Sequence, residues 1–241
     1  MQVKQYMLGK GYSWVTPYYI ATGRQGDPHV MVVAGIHGKE IASIRAAEEL
    51  VRLLKQQKLH ISHGKLIILP VVNQKAYRKR IRGIPDLNRT FPRTKKQAAS
   101  NPLSAAVFQL TQKYHPKWYL DLHEANGLSQ KDPKVLGQTL ISDKGNPVVP
   151  AVRRTIKRMN HSIKNTDRHF NIRLHELPGS SRTAAARILG ARAVTVETCW
   201  SLPKKVRIKY HLEIVQHFLR EAGLVKANGV YLSAKVKTVT P

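Results

Sequence analysis

Acidic side chains are scarce: 14 Asp and Glu face 41 Lys and Arg, for a formal charge of +27. Such an imbalance draws a protein to polyanions, anionic surfaces and anionic substrates without naming one. Cysteine is scarcer still. Cys199 stands alone, which excludes an intrachain disulfide and leaves the compartment undecided by cysteine count. No apolar stretch approaches the roughly 20 residues of a membrane-spanning helix, and no charged start with an apolar core and a small-residue cleavage site follows Met1. Aromatic residues make up 7% of the chain, little for the stacking platforms of a single-strand nucleic-acid binder. Among cytosolic nucleic acids so basic a protein would bind non-specifically, whereas an anionic cell-wall polymer would retain it. The expectation is therefore a secreted or cell-envelope protein with its signal removed, rather than a cytoplasmic one. The sequence sets no oligomeric state.

What is present is a chain of 241 residues, 42% hydrophobic, able to bury one sizeable core; residues 1–241 are read as a single domain. β-prone and helix-periodic segments alternate, with no internal repeat. Thr16 to Thr22 reads as a strand, and Gly23 to Pro28 as the turn of an edge hairpin feeding the apolar run Val32-Val33-Ala34. Glu40 to Lys58 repeats apolar residues at helical spacing, which places Glu40 in a first turn. Gly64 to Val72 is a strand apolar on both faces, with Pro70 marking its end or a bulge. Asn73 to Ser100 dissolves into a long basic loop, Pro102 to Tyr114 is helical, and Lys117 to His123 is a strand. A strand over Val135 to Ile141 precedes a helix over Val148 to Lys164 with a solvated basic face, then a loop with His175 and Glu176. Ser180 or Ser181 caps a helix that Gly190 ends, Ala193 to Glu197 is a strand, and Lys204 to Ala222 is the last helix before a tail. Alternation of this kind gives an α/β fold with a largely parallel or mixed sheet, helices on both faces.

His37, His123 and Glu197 each end or follow a predicted strand, and open α/β sheets bind ligands outside those carboxyl ends. Each residue alone has an ordinary structural role open to it. Together with Glu40, three places after His37, they supply two imidazoles and a carboxylate for a zinc ion, plus a further carboxylate for proton transfer.

His37-Gly38-Lys39-Glu40, Asp86-Leu87-Asn88-Arg89, Asp121-Leu122-His123 and Val196-Glu197 occur in this order, and the set resembles the zinc carboxypeptidase-like hydrolases, specifically the succinylglutamate desuccinylase/aspartoacylase branch. The resemblance covers approximately Pro17 to Leu219. It implies a mixed, mostly parallel sheet of about eight strands flanked by helices, one Zn2+ per chain, and hydrolysis of an amide beside a substrate carboxylate. By the same resemblance His37, Glu40 and His123 are the zinc ligands, Glu197 is the general base, and Asn88 with Arg89 clamps the carboxylate. Asp86 would orient His37, since a carboxylate on the second ring nitrogen fixes the tautomer. The arginine that polarises the scissile carbonyl falls among Arg78, Arg80 and Arg82, with Arg80 preferred over Arg82.

Two departures stand out. Aspartoacylase-like proteins carry a C-terminal β-rich domain, whereas this sequence ends soon after its last helix. The digestive carboxypeptidases use a tyrosine ahead of the catalytic glutamate, and here no tyrosine lies between Tyr119 and Tyr210; His175 is the candidate stand-in, set against a plain surface histidine. Cys199 reads as a small structural residue rather than a nucleophile, and Glu124 is the next carboxylate should the base not be Glu197. The implied substrate is a small anionic amide or peptide: an N-acyl amino acid, or alternatively a cell-wall peptide cut by a carboxypeptidase or amidase. A competing reading outside catalysis is a basic binder of nucleic acid or wall polymer using Arg78-Lys79-Arg80, Lys95-Lys96 and Lys204-Lys205.

Overall fold

The run Val30 to Ala34 is buried on both faces, as a strand between two parallel neighbours must be. Val30, Val32 and Ala34 pack to one side, Met31 and Val33 to the other. The computed structural model describes residues 1–226, apart from the side chain of Gln25; the tail read beyond Gly223 lies, from residue 227 on, outside the described residues. In chain order the strands are β1 (Gln2–Leu8), β2 (Thr16–Thr22), β3 (Arg24–Ala34), β4 (His63–Leu69), β5 (Trp118–Ala125), β6 (Thr139–Ser142), β7 (Asn171–Leu174) and β8 (Arg192–Cys199). They form one mixed eight-stranded sheet in the order β1-β2-β4-β3-β5-β8-β6-β7. β4, β3, β5 and β8 run parallel through its centre, and antiparallel joins flank them at β2 and β6.

The helices are α1 (Ile41–Lys55), α2 (Gln74–Lys79), α3 (Pro102–Tyr114), α4 (Val149–Ser162), α5 (Ser181–Leu189) and α6 (Lys204–Glu221). α1, α4 and α6 cover one face of the sheet, where Leu50, Leu54, Val152, Met159, Ile214 and Phe218 meet Leu120, Leu122, Val194 and Val196. α3 and α5 cover the other, where Val107, Phe108, Ala184 and Ala185 meet Met31, Val33, Tyr119 and Ala193. Helix punctuation follows local chemistry. Asn101 caps α3 through Leu103 N–H at 2.9 Å with Pro102 in the first turn, and Ser180 caps α5, which ends at Gly190 with φ 71°.

Several expectations need correction. β2 does not feed β3 through a hairpin: β4 lies between them, and β2 pairs antiparallel with β1 and β4. The predicted turn at Gly23 to Pro28 instead falls largely within the start of β3, whose register against β4 breaks between Arg24 and His29. The turn residues there make a bulge rather than a reversal. The basic segment from Asn73 to Ser100 contains α2 and a 3-10 turn at Leu87–Arg89. The strand expected at Val135 to Ile141 is the shorter β6, and a further short strand, β7, precedes His175. Glu40 occupies the position before α1 rather than its first turn.

Candidate active site

The chain turns sharply after β3, and two glycines allow it. Gly35 has φ 68°, where a side chain would be strained, and a Cβ on Gly38 would lie 2.0 Å from the carbonyl carbon of Ala76. The backbone of α2 therefore seats directly on the His37-Gly38 corner. His37 (2% exposed) and Glu40 (1%) are thus carried on a buried loop between strand and helix.

On β5, alternation sends Trp118, Leu120 and Leu122 to the α1 side of the sheet and Tyr119, Asp121 and His123 to the α5 side. β8 pairs with β5 in parallel so that His123 is in register with Glu197. Both strands continue two residues beyond these side chains, to Ala125 and Cys199, so neither residue ends its strand.

The side chains converge. His37 Nδ1 lies 2.7 Å from Glu40 Oε1, and His123 Nδ1 lies 2.8 Å from Glu40 Oε2. The other nitrogens meet aspartates: His37 Nε2 is 2.9 Å from Asp86 Oδ1, and His123 Nε2 is 3.0 Å from Asp121 Oδ1. The second pair is close but out of line for a hydrogen bond, which leaves both atoms buried without one. At 3.0 Å it is an ion-pair contact. Burial opposes ionisation of Glu40, yet the two histidines hold it below the usual carboxylate range. Burial likewise opposes a charge on His123, and Asp121 and Glu40 outweigh it, raising its pKa well above the ordinary value.

This arrangement fits a zinc ion. An aspartate on each Nε2 leaves the Nδ1 lone pair for a metal. One donor atom from each of His37, Glu40 and His123 lies within 4.8 Å of the others, and two nitrogens with a carboxylate are a set found in catalytic zinc centres. Asp121 stands beside His123 Nε2 as Asp86 stands beside His37 Nε2, at ion-pair distance where Asp86 is hydrogen-bonded. Sequence reading gave Asp121 no role, although two-residue spacing on a strand places both side chains on one face.

Glu197 faces this cluster. It is only partly covered, but its Oε2 is buried and has no hydrogen-bond partner among the described residues. Burial pushes its pKa up to about 8; His123 pulls the other way, and Glu40 and Asp121 add to the rise. Glu124 lies on the opposite face of β5, where its Oε2 accepts from Ala42 N–H at 2.7 Å and its Oε1 from Arg207, so it does not line this site.

Asp86 opens the 3-10 turn, accepting from Asn88 N–H at 3.0 Å and from Arg82 at 2.9 Å. Burial works against its charge, but His37 and Arg82 hold its pKa well below the usual range. Asn88 is buried, and its Oδ1 accepts from Ser181 N–H at 3.0 Å. Ser181 Oγ donates to Asp121 Oδ2 at 2.5 Å, so the start of α5 joins Asn88 to the partner of His123. Arg89 is 45% exposed with Nη1 on the Asn88 carbonyl. Arg82 sits beside Asp86, whereas Arg80 stacks over the Tyr77 ring at 4.2 Å and points to solvent. Lys39 and Trp200 face one another at 4.5 Å, just outside the triad. His175 is exposed, with its backbone tied to Ser142 and Arg182. Cys199 is buried against Gly137 and Ser201.

Comparison with solved structures gives the same architecture. Csd4, a cell shape determinant protein of Helicobacter pylori in its product-bound form, matches with a TM-score of 0.71 at 19% identity, over 86% of this chain and 55% of its own. A succinylglutamate desuccinylase/aspartoacylase of Rhodobacter sphaeroides matches at 0.63 and 17% identity, over 89% of this chain and 60% of its own. Bovine thrombin-activatable fibrinolysis inhibitor matches at 0.72 and 17% identity, over 92% and 90%. The chain thus spans a little over half the length of Csd4. Comparison with curated proteins gives no match. The profile of the succinylglutamate desuccinylase/aspartoacylase catalytic domain matches residues 26–220, most of the sequence and every motif described above, and the chain belongs to that family.

Proposed function

We propose that the protein is a zinc-dependent amidohydrolase that cleaves an amide bond close to a substrate carboxylate. The observation that carries this reading is the placement of Glu197, in register with His123 and with a buried oxygen that has no hydrogen-bond partner among the described residues, beside a His-Glu-His cluster that could hold a metal. A zinc ion held by His37, Glu40 and His123 would supply Lewis acidity toward a carbonyl oxygen, acidify water at its open position and favour the ionised form of nearby carboxylates.

The protein's own groups supply the rest. Glu197 takes the proton of the attacking water and returns it to the departing nitrogen, so the C–N bond breaks with proton balance kept within one side chain. Asp86 and Asp121 hold the imidazole tautomers. Arg89 grips the substrate carboxylate in a two-pronged contact, with the Asn88 amide fixed beside it through Ser181. Arg82, beside Asp86, is better situated than Arg80 to meet the carbonyl oxygen, because Arg80 lies over Tyr77.

Within this chemistry we favour a short peptide bearing a free carboxylate. Similar structures hold a tripeptide or mDAP in Csd4, a D,L-carboxypeptidase, and the charge of +27 suits retention on an anionic wall polymer. Elemental analysis of the gently purified protein should find about one zinc per chain, lost in His37→Ala and His123→Ala. A panel of N-acyl amino acids and muropeptides then identifies the substrate. Full metal content in both histidine variants would sink the ligand assignment, and metal without turnover on any panel member would favour the binder over the enzyme.

A further inference from the structure

Glu40 stands at the position that normally caps a helix, yet its carboxylate faces His37 and His123, and no side chain of the chain's own loop caps α1. The first turn of α1 also carries no acidic residue. A helix start left this way exposes unpaired N–H groups and a partial positive charge, which in a buried setting needs an acceptor from elsewhere. Glu124 provides one. It reaches across from β5, with its Oε2 accepting from Ala42 N–H at 2.7 Å, while its Oε1 accepts from Arg207 of α6. Its side chain is wholly buried and that of Arg207 is 14% exposed. Thr198, in register with Glu124 on β8, is hydrogen-bonded to His211 of α6 at 3.0 Å, so a polar layer lies beneath the site on the α1 face of the sheet.

We infer that Glu124, charge-balanced by Arg207, is a positioning residue for the metal centre: it caps α1 from the neighbouring strand and so frees Glu40 to serve the two histidines. The geometry gives the brace a definite task. His123 and Glu124 are consecutive on β5 and point to opposite faces, one into the triad and one to the helix that begins immediately after Glu40. A single one-residue step of strand therefore ties the element bearing one ligand to the element bearing another. Removing the acceptor releases the first turn of α1, and Glu40 is then drawn toward its own orphan N–H groups and away from the histidines.

This rests on the reading of His37, Glu40 and His123 as ligands, and the test separates the two. The dissociation constant for Zn2+ is measured by competition with a chromophoric chelator, alongside the visible spectrum of the Co2+-loaded protein and the thermal midpoint of the metal-free form. A parent protein that binds no zinc defeats the ligand reading itself. Given a parent that binds, the pair Glu124→Leu with Arg207→Met replaces the buried ions by apolar groups of similar size, a change often neutral for stability. It should keep the metal-free midpoint, weaken zinc binding by about 10- to 100-fold and shift the cobalt bands. Glu124→Gln with Arg207→Met retains an acceptor for Ala42 and should bind zinc within about threefold of the parent. Parental affinity and spectrum in the leucine variant, or equal losses in both, would overturn the inference. Should the leucine variant fail to fold, Glu124→Asp decides: it keeps the charge but falls one methylene short of Ala42, and unchanged zinc affinity there would overturn the inference as well.

Discussion

Glu124 and Glu197 are carboxylates on adjacent central strands, and burial raises the pKa of both. They stand on opposite faces of the sheet, and their surroundings differ. Glu124 has an arginine and a backbone N–H that offset the cost of burying its charge. Glu197 has one oxygen with no hydrogen-bond partner among the described residues, in a neighbourhood that already holds Glu40 and Asp121. A buried acid that is fully matched is held in one state, whereas one left unmatched beside other acids can change its proton at little cost. The first suits the bracing role inferred for it and the second the proton transfer proposed for it.

The comparison breaks most directly at Glu197. Glu197→Gln should keep fold and zinc but lower kcat by about 10²- to 10⁴-fold with KM little changed, because only proton transfer is lost. Turnover near the parent rate would remove Glu197 from its role. At the matched acid the effect should appear in stability instead. Arg207→Met alone leaves Glu124 buried and unpaired, and denaturant unfolding should show a loss of about 3–5 kcal/mol. A loss below about 1 kcal/mol would mean that the pair is hydrated and that the two acids are less different than drawn.

Smaller effects sharpen the contrast. Arg89→Ala should raise KM for carboxylate-bearing substrates by about tenfold or more and leave kcat nearly intact, since the contact exists in the ground state too. An equal fall in kcat would place Arg89 in the transition state. On the α6 side, burial, aided by Arg158 and Arg220, pushes the pKa of His217 down to about 4. The unfolded chain takes up that proton first, so this contribution is complete above about pH 6.5 and is lost as the pH falls toward 4. Stability measured across that window should fall less steeply in His217→Leu. An unchanged slope would assign the acid sensitivity elsewhere.

Much of this was legible because the informative residues sit in regular elements. The apolar runs of β3, β4, β5 and β8, the stripe on α6 and the cap of α5 all follow local patterning, and the motif order carries the family. What was not legible depends on pairing between distant segments. β1 is an edge strand whose residues are mostly exposed and lack a core pattern, and β7 is four residues long without a fully buried one. That β4 separates β2 from β3 is a matter of strand order, on which adjacent sequence is silent. That Arg80 lies over Tyr77 depends on its left-handed backbone, φ 55°, where α2 ends, and adjacent sequence does not announce it. Glu124 could have been separated from the site by alternation alone, being one residue removed from His123.

The register of His123 against Glu197 carries a consequence for how the molecule tolerates change. Adjacent strands lie about 4.8 Å apart and repeat their facing every two residues. The spacing between the proposed base and the proposed ligand is therefore fixed by main-chain pairing in the middle of the sheet, not by flexible side chains or surface loops. Deleting one residue from the first half of β8 would bring another residue opposite His123 and turn Glu197 toward α6. The exposed stretch from Gln130 to Lys134 is under no such restriction, whereas the segment from Asn73 to Ser100 carries Arg82, Asp86, Asn88 and Arg89 and seats against Gly38. A foreign loop grafted over Gln130 to Lys134 alone, with β5, β8 and the turn at Asp86 untouched, would leave the proposed chemistry in place.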